Sequence, residues 1–156
     1  MSESAENEQP KDRGGKEMTA AESLGKYLSY VFTHEELLVT FKGDDLQLDK
    51  KVARRIERHP CATIEAKRMA FRTASQLAAE GYLVEIYFVG FDTPGLKPTD
   101  CLWFFRIVNG PSVRTVFMLD SRARELGQEG YIAHVRKSMR GINKNGVHFG
   151  PEDSKN

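Results

Sequence analysis

The sequence predicts an α+β fold: an antiparallel three-stranded meander flanked by helices, in the order α-β-β-α-α-β-β-β-α. Three observations carry this reading. Apolar and aromatic runs at residues 82–91, 101–108 and 113–119 are joined by short turn-forming segments, which suits antiparallel strands. The stretches on either side place apolar residues at helical spacing behind capping residues. The chain has 156 residues, one domain's length, and enough to bury a core without disulfides or a metal.

Residues 1–18 are rich in Ser, Glu, Asn, Gln, Pro, Lys and Gly and have little to bury, so they predict a disordered tail. Residues 150–156 read the same way. The single α+β domain is expected over residues 19–149. Thr19-Ala20-Ala21-Glu22 is a capping box, and Leu24, Tyr27, Leu28 and Val31 follow it on one stripe. Residues 33–36 start a further helical turn. A strand over 37–42, a turn at Gly43-Asp44-Asp45 and a return strand over 46–48 come next. Asp49 can cap a helix over 50–58 whose apolar side is Leu48, Val52 and Ile56, and His59-Pro60 ends it. Thr63 can cap the next helix, which runs to about 80 with Ile64, Phe71, Ala74 and Ala78 on its buried side. Gly81 stops it. The three meander strands follow, with a longer loop over 93–99 and a hairpin turn at Asn109-Gly110-Pro111-Ser112. A helical turn over 121–126 breaks at Gly127. A last helix over 129–140 has Ile132, Val135 and Met139 as its apolar side. No internal repeat is present.

The first two meander strands are apolar on both faces. Leu83, Tyr87 and Val89 oppose Val84, Ile86 and Phe88, while Trp103 and Phe105 oppose Leu102 and Phe104. A solvated face would alternate apolar with polar residues. Either both faces are covered, the second by the amino-terminal helix and hairpin, or one face is a dimer interface or an aromatic stacking surface.

The net charge of +1 excludes a global polycation but hides strong segregation. Residues 1–48 hold 10 acidic and 5 basic side chains, residues 49–80 hold 4 and 8, and residues 121–156 hold 4 and 7. The basic segments are the helical ones. Lys50, Lys51, Arg54, Arg55 and Arg58 lie on the first, and Arg68, Arg72 and Gln76 follow i, i+4 spacing on the second. Arg136, Lys137 and Arg140, then Lys144, lie on the last, with Arg122 and Arg124 before them. If these helices pack on one side of the sheet, their outer faces form one basic surface suited to phosphate. Each is otherwise an ordinary solvated helix face, or one neutralised by the acidic amino-terminal segment.

Motifs for chemistry are sparse. Cys61 and Cys101 have no metal-ligand or redox spacing, and both are expected as reduced thiols in a cytoplasmic protein. His59-Pro60-Cys61 precedes a helix, which makes Cys61 the better nucleophile candidate, though an inert packed thiol is the simpler reading. His34, His59, His134 and His148 show no ligand spacing, so no metal is expected. Gly14-Gly15-Lys16 lacks the rest of a phosphate-binding loop, and no dinucleotide fingerprint or nucleophile elbow appears, so no cofactor is expected. No apolar run approaches the roughly 18 residues of a membrane span, and the start is polar and acidic rather than signal-like.

Two family resemblances attach to the second half. Pro98-Thr99-Asp100 ahead of Cys101-Leu102-Trp103-Phe104, then Val116-Phe117-Met118-Leu119-Asp120-Ser121-Arg122, resembles the restriction-endonuclease-like fold in its α-β-β-β-α order. That resemblance implies Asp100 and Asp120 as metal-binding carboxylates, with Glu65 or Glu80 as a third. Arg122 stands where that family's lysine is expected, and only Val147-His148-Phe149 remains for its further strand. The stretch from Thr63 to Arg140 is also similar in element order to the double-stranded RNA-binding domain. That family's loop histidine is absent, and Glu129-Gly130-Tyr131 is not its lysine-rich helix start.

The expectation is a small non-enzymatic accessory or regulatory protein. It would contact DNA or RNA phosphates through Lys50, Lys51, Arg54, Arg55, Arg58, Arg68, Arg72, Arg136, Lys137 and Arg140. Trp103 and Phe105 would add stacking only if their sheet face is open. One alternative is a protein-interaction module, an inhibitor or a homodimer, using the apolar sheet face or the basic patch. The other is a metal-dependent nuclease, or a degenerate one, built on Asp100 and Asp120.

Overall fold

The computed structural model describes residues 20–92 and 94–140. The tail expectations, Thr19 of the capping box, Lys144 and residues 147–149 lie outside the described residues. The chain divides into two units, one ending at His34 and one starting at Glu35.

In the first unit a single helix, α1, spans Ala20–His34. Of the further turn expected over residues 33–36 only Thr33 and His34 are helical, with Thr33 Oγ1 donating back to the Ser29 carbonyl; Glu36 already begins a strand. Tyr30 and His34 stack with ring centroids 4.0 Å apart.

The second unit holds one five-stranded antiparallel sheet: β1 (Glu36–Lys42), β2 (Asp45–Leu48), β3 (Leu83–Gly90), β4 (Cys101–Asn109) and β5 (Ser112–Leu119). Its order is β2-β1-β3-β4-β5. The predicted meander is β3-β4-β5. The hairpin expected to lie over the sheet instead extends it, because β1 pairs with β3, Val39 opposite Ile86 and Phe41 opposite Val84. The register shifts between Leu37 and Val39, so adjacent Leu38 and Val39 are both buried. Both hairpin turns close as their residues suggest. Lys42 faces Asp45 around Gly43 at φ 57°, and Asn109 faces Ser112 around Gly110 at φ 60°.

Three helices cover one sheet face: α2 (Lys50–Glu57), α3 (Ile64–Ala79) and α4 (Asp120–Ser138). Their apolar sides share one core with Phe41, Val84, Ile86, Phe88, Trp103, Phe105, Ile107, Val116 and Met118. Each large buried side chain in it contributes roughly 1.5–3 kcal/mol relative to exposure. The caps act as the sequence suggests: Asp49 accepts from the amides of Lys51 and Val52, and Thr63 Oγ1 accepts from the amide of Ala66. The buried side of α3 is small, with Ala66, Ala70, Thr73, Ala74 and Ala78 beside Met69 and Leu77. Small residues there let α3 sit close to the sheet and to α4. Ile64, expected on that side, is 66% exposed, because Thr63 starts the helix with its first residue turned outward.

The opposite sheet face is also buried at Tyr87, Val89, Leu102 and Phe104. Tyr87 and Phe104 stack at 4.8 Å, and Phe104 meets Phe117 at 5.5 Å. Trp103 and Phe105, at 1% and 0% exposure, are core residues, so the condition set for base stacking is not met. Among the described residues no helix is long and apolar enough to cross a membrane.

Candidate nucleic-acid interface

Packing α2, α3 and α4 on one face turns all their polar arcs to the same side. Lys50, Arg54 and Arg58 follow i, i+4 spacing and form one line on α2, with Lys51 and Arg55 beside it. Arg68 and Arg72 form the line on α3. Arg136 and Lys137 lie in the last turn of α4, and Arg140 follows in the turn beyond its end. Every one of the ten is exposed. Arg55 is paired with Glu36 of β1. Arg136 grips Glu80 with two hydrogen bonds of 3.1 and 2.6 Å, and that partner holds the Glu80 carboxyl below its ordinary value. Among the described residues the other eight carry no ion pair. Within those residues the acidic amino-terminal segment therefore neutralises one position, Arg55, through Glu36.

Arg68 borders two clefts in this layer. Between α2 and α3 lies a cleft of about 530 Å³ with an apolar floor of Ile56, Ala62, Phe71 and Trp103 and charged walls of Glu57, Lys67 and Arg68. Lys67 also sits 5.7 Å from the centroid of the Phe71 ring. Between α3 and α4 lies a cleft of about 410 Å³, lined by Glu65, Arg68, Arg72, Arg124, Gly127 and Gln128 along with Met69. The α4 backbone leaves helical geometry at Gly127, with φ 71° and ψ 175°, where the sequence placed the break. Gln128 Nε2 then reaches Thr73 Oγ1 of α3 at 3.4 Å.

Asp100 and Asp120 come together at the start of β4 and the end of β5, where antiparallel pairing sets Leu102 opposite Leu119. Both carboxylates are engaged by donors of the protein. Asp120 is fully buried and accepts from five donors: Thr63 N at 2.9 Å, Thr63 Oγ1 at 2.9 Å, Trp103 Nε1 at 3.0 Å, Arg124 Nε at 3.0 Å and, more weakly, Cys101 Sγ at 3.8 Å. A carboxylate offers about four lone-pair sites, so these donors fill it. Asp100 accepts from the Cys101 amide and from both the amide and hydroxyl of Ser121, which ties the start of α4 to the start of β4. A metal ion would have to displace these bonds. Glu65 lies in the α3–α4 cleft, and Glu80 is engaged by Arg136 near the other end of α3. Among the described residues no three His, Cys, Asp or Glu side chains are grouped to hold a metal.

Cys61 is not set up as a nucleophile. Its thiol donates to the Pro98 carbonyl at 3.2 Å. Burial, with Asp100, Asp120 and Asp92 nearby, pushes its pKa up, which disfavours the thiolate. His59 Nδ1 accepts from the backbone amide of Cys61, so that nitrogen serves the chain rather than the thiol, and Nε2 lies 3.2 Å from Asp92. Cys101 is buried with its thiol 3.8 Å from Asp120, and burial raises its pKa strongly.

Sequence reasoning noted Arg124 among the basic residues but did not include it among the phosphate contacts. Its signal was present as the i, i+4 pair Asp120–Arg124. What the sequence did not carry is that Thr63 and Trp103, 57 and 17 residues away, would fix the same carboxylate. No protein-family model, no curated protein and no solved structure matches this chain.

Proposed function

We propose that this protein is a non-enzymatic nucleic-acid-binding accessory factor that contacts sugar-phosphate backbone through the outer layer of α2, α3 and α4. The observation that supports this is the placement of three basic helices on one sheet face, with eight exposed cations unpaired among the described residues. Arg predominates there, and its planar fork suits phosphate oxygens better than a point charge does. Such contacts fix position and orientation on the backbone without reading bases. Binding of the full chain to labelled single- and double-stranded DNA and RNA tests it. Affinity at low salt that falls steeply at moderate salt, and drops at least tenfold on Lys50→Glu with Arg54→Glu, is the expected result. No binding at low salt, or binding indifferent to those substitutions, overturns the reading.

A second reading, a protein-interaction module, is supported by exposed Ile64 beside the apolar floor of the α2–α3 cleft. Its signature is association that survives moderate salt and is lost on Ile64→Glu. A metal-dependent nuclease has less support, since Asp120 has no lone pair to offer.

A further inference from the structure

We propose that the cleft between α3 and α4 is a seat for one phosphate group, gripped by Arg68 and Arg72 and backed by Arg124. The inference rests on the interface reading in taking phosphate as the anion, and it deepens that reading by naming a discrete site within the surface.

Three features distinguish this cleft from the rest of the basic layer. The first is convergence. Arg68 and Arg72 are one turn apart on α3 and Arg124 comes from α4, so guanidinium groups from two helices border one concavity of about 410 Å³. That volume is at the small end of ligand sites. The second is pre-organisation. Arg124 Nε is held by Asp120 Oδ1 at 3.0 Å, and Asp120 is itself fixed by Thr63 and Trp103. The rest of the Arg124 guanidinium makes no hydrogen bond among the described residues. An arginine already held in place loses less side-chain freedom on binding than a free surface lysine does. The third is a bare backbone wall. Gly127 has no side chain, and a Cβ there would meet nothing within 4 Å, so a ligand can approach the chain directly.

Charge in the cleft favours an anion. Asp120 offsets Arg124 from behind, and Glu65 is the carboxylate in the lining, close enough to Arg124 to act on its charge. Glu65 therefore sets the affinity: it repels the anion, and Glu65→Gln tightens binding severalfold.

The test uses the full chain with inorganic phosphate and with a short oligonucleotide carrying or lacking a 5′-phosphate. Titration is followed by amide and arginine side-chain resonances and by calorimetry. Saturable phosphate binding that moves the Gln128 amide and Arg124 Nε–H is expected. It should weaken at least tenfold in Arg68→Gln with Arg72→Gln and stay unchanged in Lys97→Gln, an exposed residue of the loop between β3 and β4. Both arginines are exposed, so an unchanged melting temperature checks that the double variant remains folded. Tighter binding of the 5′-phosphorylated oligonucleotide assigns the seat to a chain end. Equal binding of both forms, lost together in the double variant, assigns it to an internal phosphodiester. Non-saturable shifts, or phosphate binding undiminished in the double variant, overturn the proposal. The two readings fail separately. Nucleic-acid binding that needs Lys50 and Arg54 but ignores Arg68 and Arg72 removes this seat and keeps the interface. Phosphate binding in the cleft without nucleic-acid binding removes the interface.

Discussion

Asp120 illustrates what a buried charge demands of its surroundings. A lone carboxylate in a core would cost many kcal/mol in lost hydration. Here the Thr63 amide and hydroxyl, the Trp103 indole and the Arg124 guanidinium replace the water. Removing it strands the buried Trp103 and Thr63 donors, so Asp120→Ala is expected to lower stability by about 3–5 kcal/mol. Urea unfolding followed by Trp103 fluorescence measures this, and a loss under about 1 kcal/mol contradicts the assignment. Cys101 supplies a pH dependence. Burial raises its thiol pKa in the folded chain, so the folded state keeps a proton that the unfolded chain releases. Its contribution is complete below the unfolded thiol value of roughly 8.5 and is lost as pH rises above it. Urea midpoints at pH 7 and 9.5 should therefore diverge in the native chain and converge partway in Cys101→Ala. Cys61, Tyr87 and Tyr131 shift the same way and add to the slope. At this scale the sequence singled out Asp100 and Asp120 as a pair at neighbouring strand ends. Their partners could not be read, because donors from distant segments decide whether a carboxylate is a ligand or a brace.

Among the elements, α4 is two helical pieces joined at a glycine. The conformation at Gly127 is accessible to almost no other residue. Gly127→Ala should cost about 1–3 kcal/mol by urea unfolding, although the space for a methyl is open. A neutral result would mean that the kink relaxes. The break was legible because a glycine inside a helical pattern weakens the helix and admits a positive φ at that point. Likewise Asp49 and Thr63 were legible as caps, since capping is local. The outward turn of Ile64 was not, because the direction a helix faces depends on what it packs against. The Glu80–Arg136 pair joins α3 to α4 from their exposed sides. Arg136 holds the Glu80 carboxyl below its ordinary value, so the pair contributes above the unfolded value of about 4.3 and is lost as pH falls through the folded one. With both side chains 43% exposed, solvent limits the contribution to under about 1 kcal/mol. Glu80→Gln should therefore leave stability nearly unchanged while freeing Arg136. Duplex affinity is expected to rise a few-fold, and an unchanged affinity would place Arg136 outside the interface.

For the whole molecule the governing quantity is how many cations meet phosphate at once. Each neutralised phosphate contributes roughly −0.9 to the slope of log affinity against log salt on duplex DNA. Eight unpaired cations on a surface this wide cannot all lie along one backbone, so a slope between about −3 and −6 is expected. A slope near zero would favour an apolar partner, with Ile64 as the first residue to test. The sequence by itself determined the element order, the caps, the turns at Gly43 and Gly110, the break at Gly127 and the concentration of charge on three helices. All of these follow from residue-level propensities and short-range periodicity. Only the tertiary structure decided that the hairpin joins the sheet rather than covers it, since strand pairing is a contact between residues far apart in sequence. It also decided that Asp120 is saturated with donors, and that Arg124 stands across a cleft from Arg68 and Arg72. The physical reason is the same in each case. Chemistry depends on which groups are neighbours in space, and α3 and α4 become neighbours only when the sheet brings them onto one face.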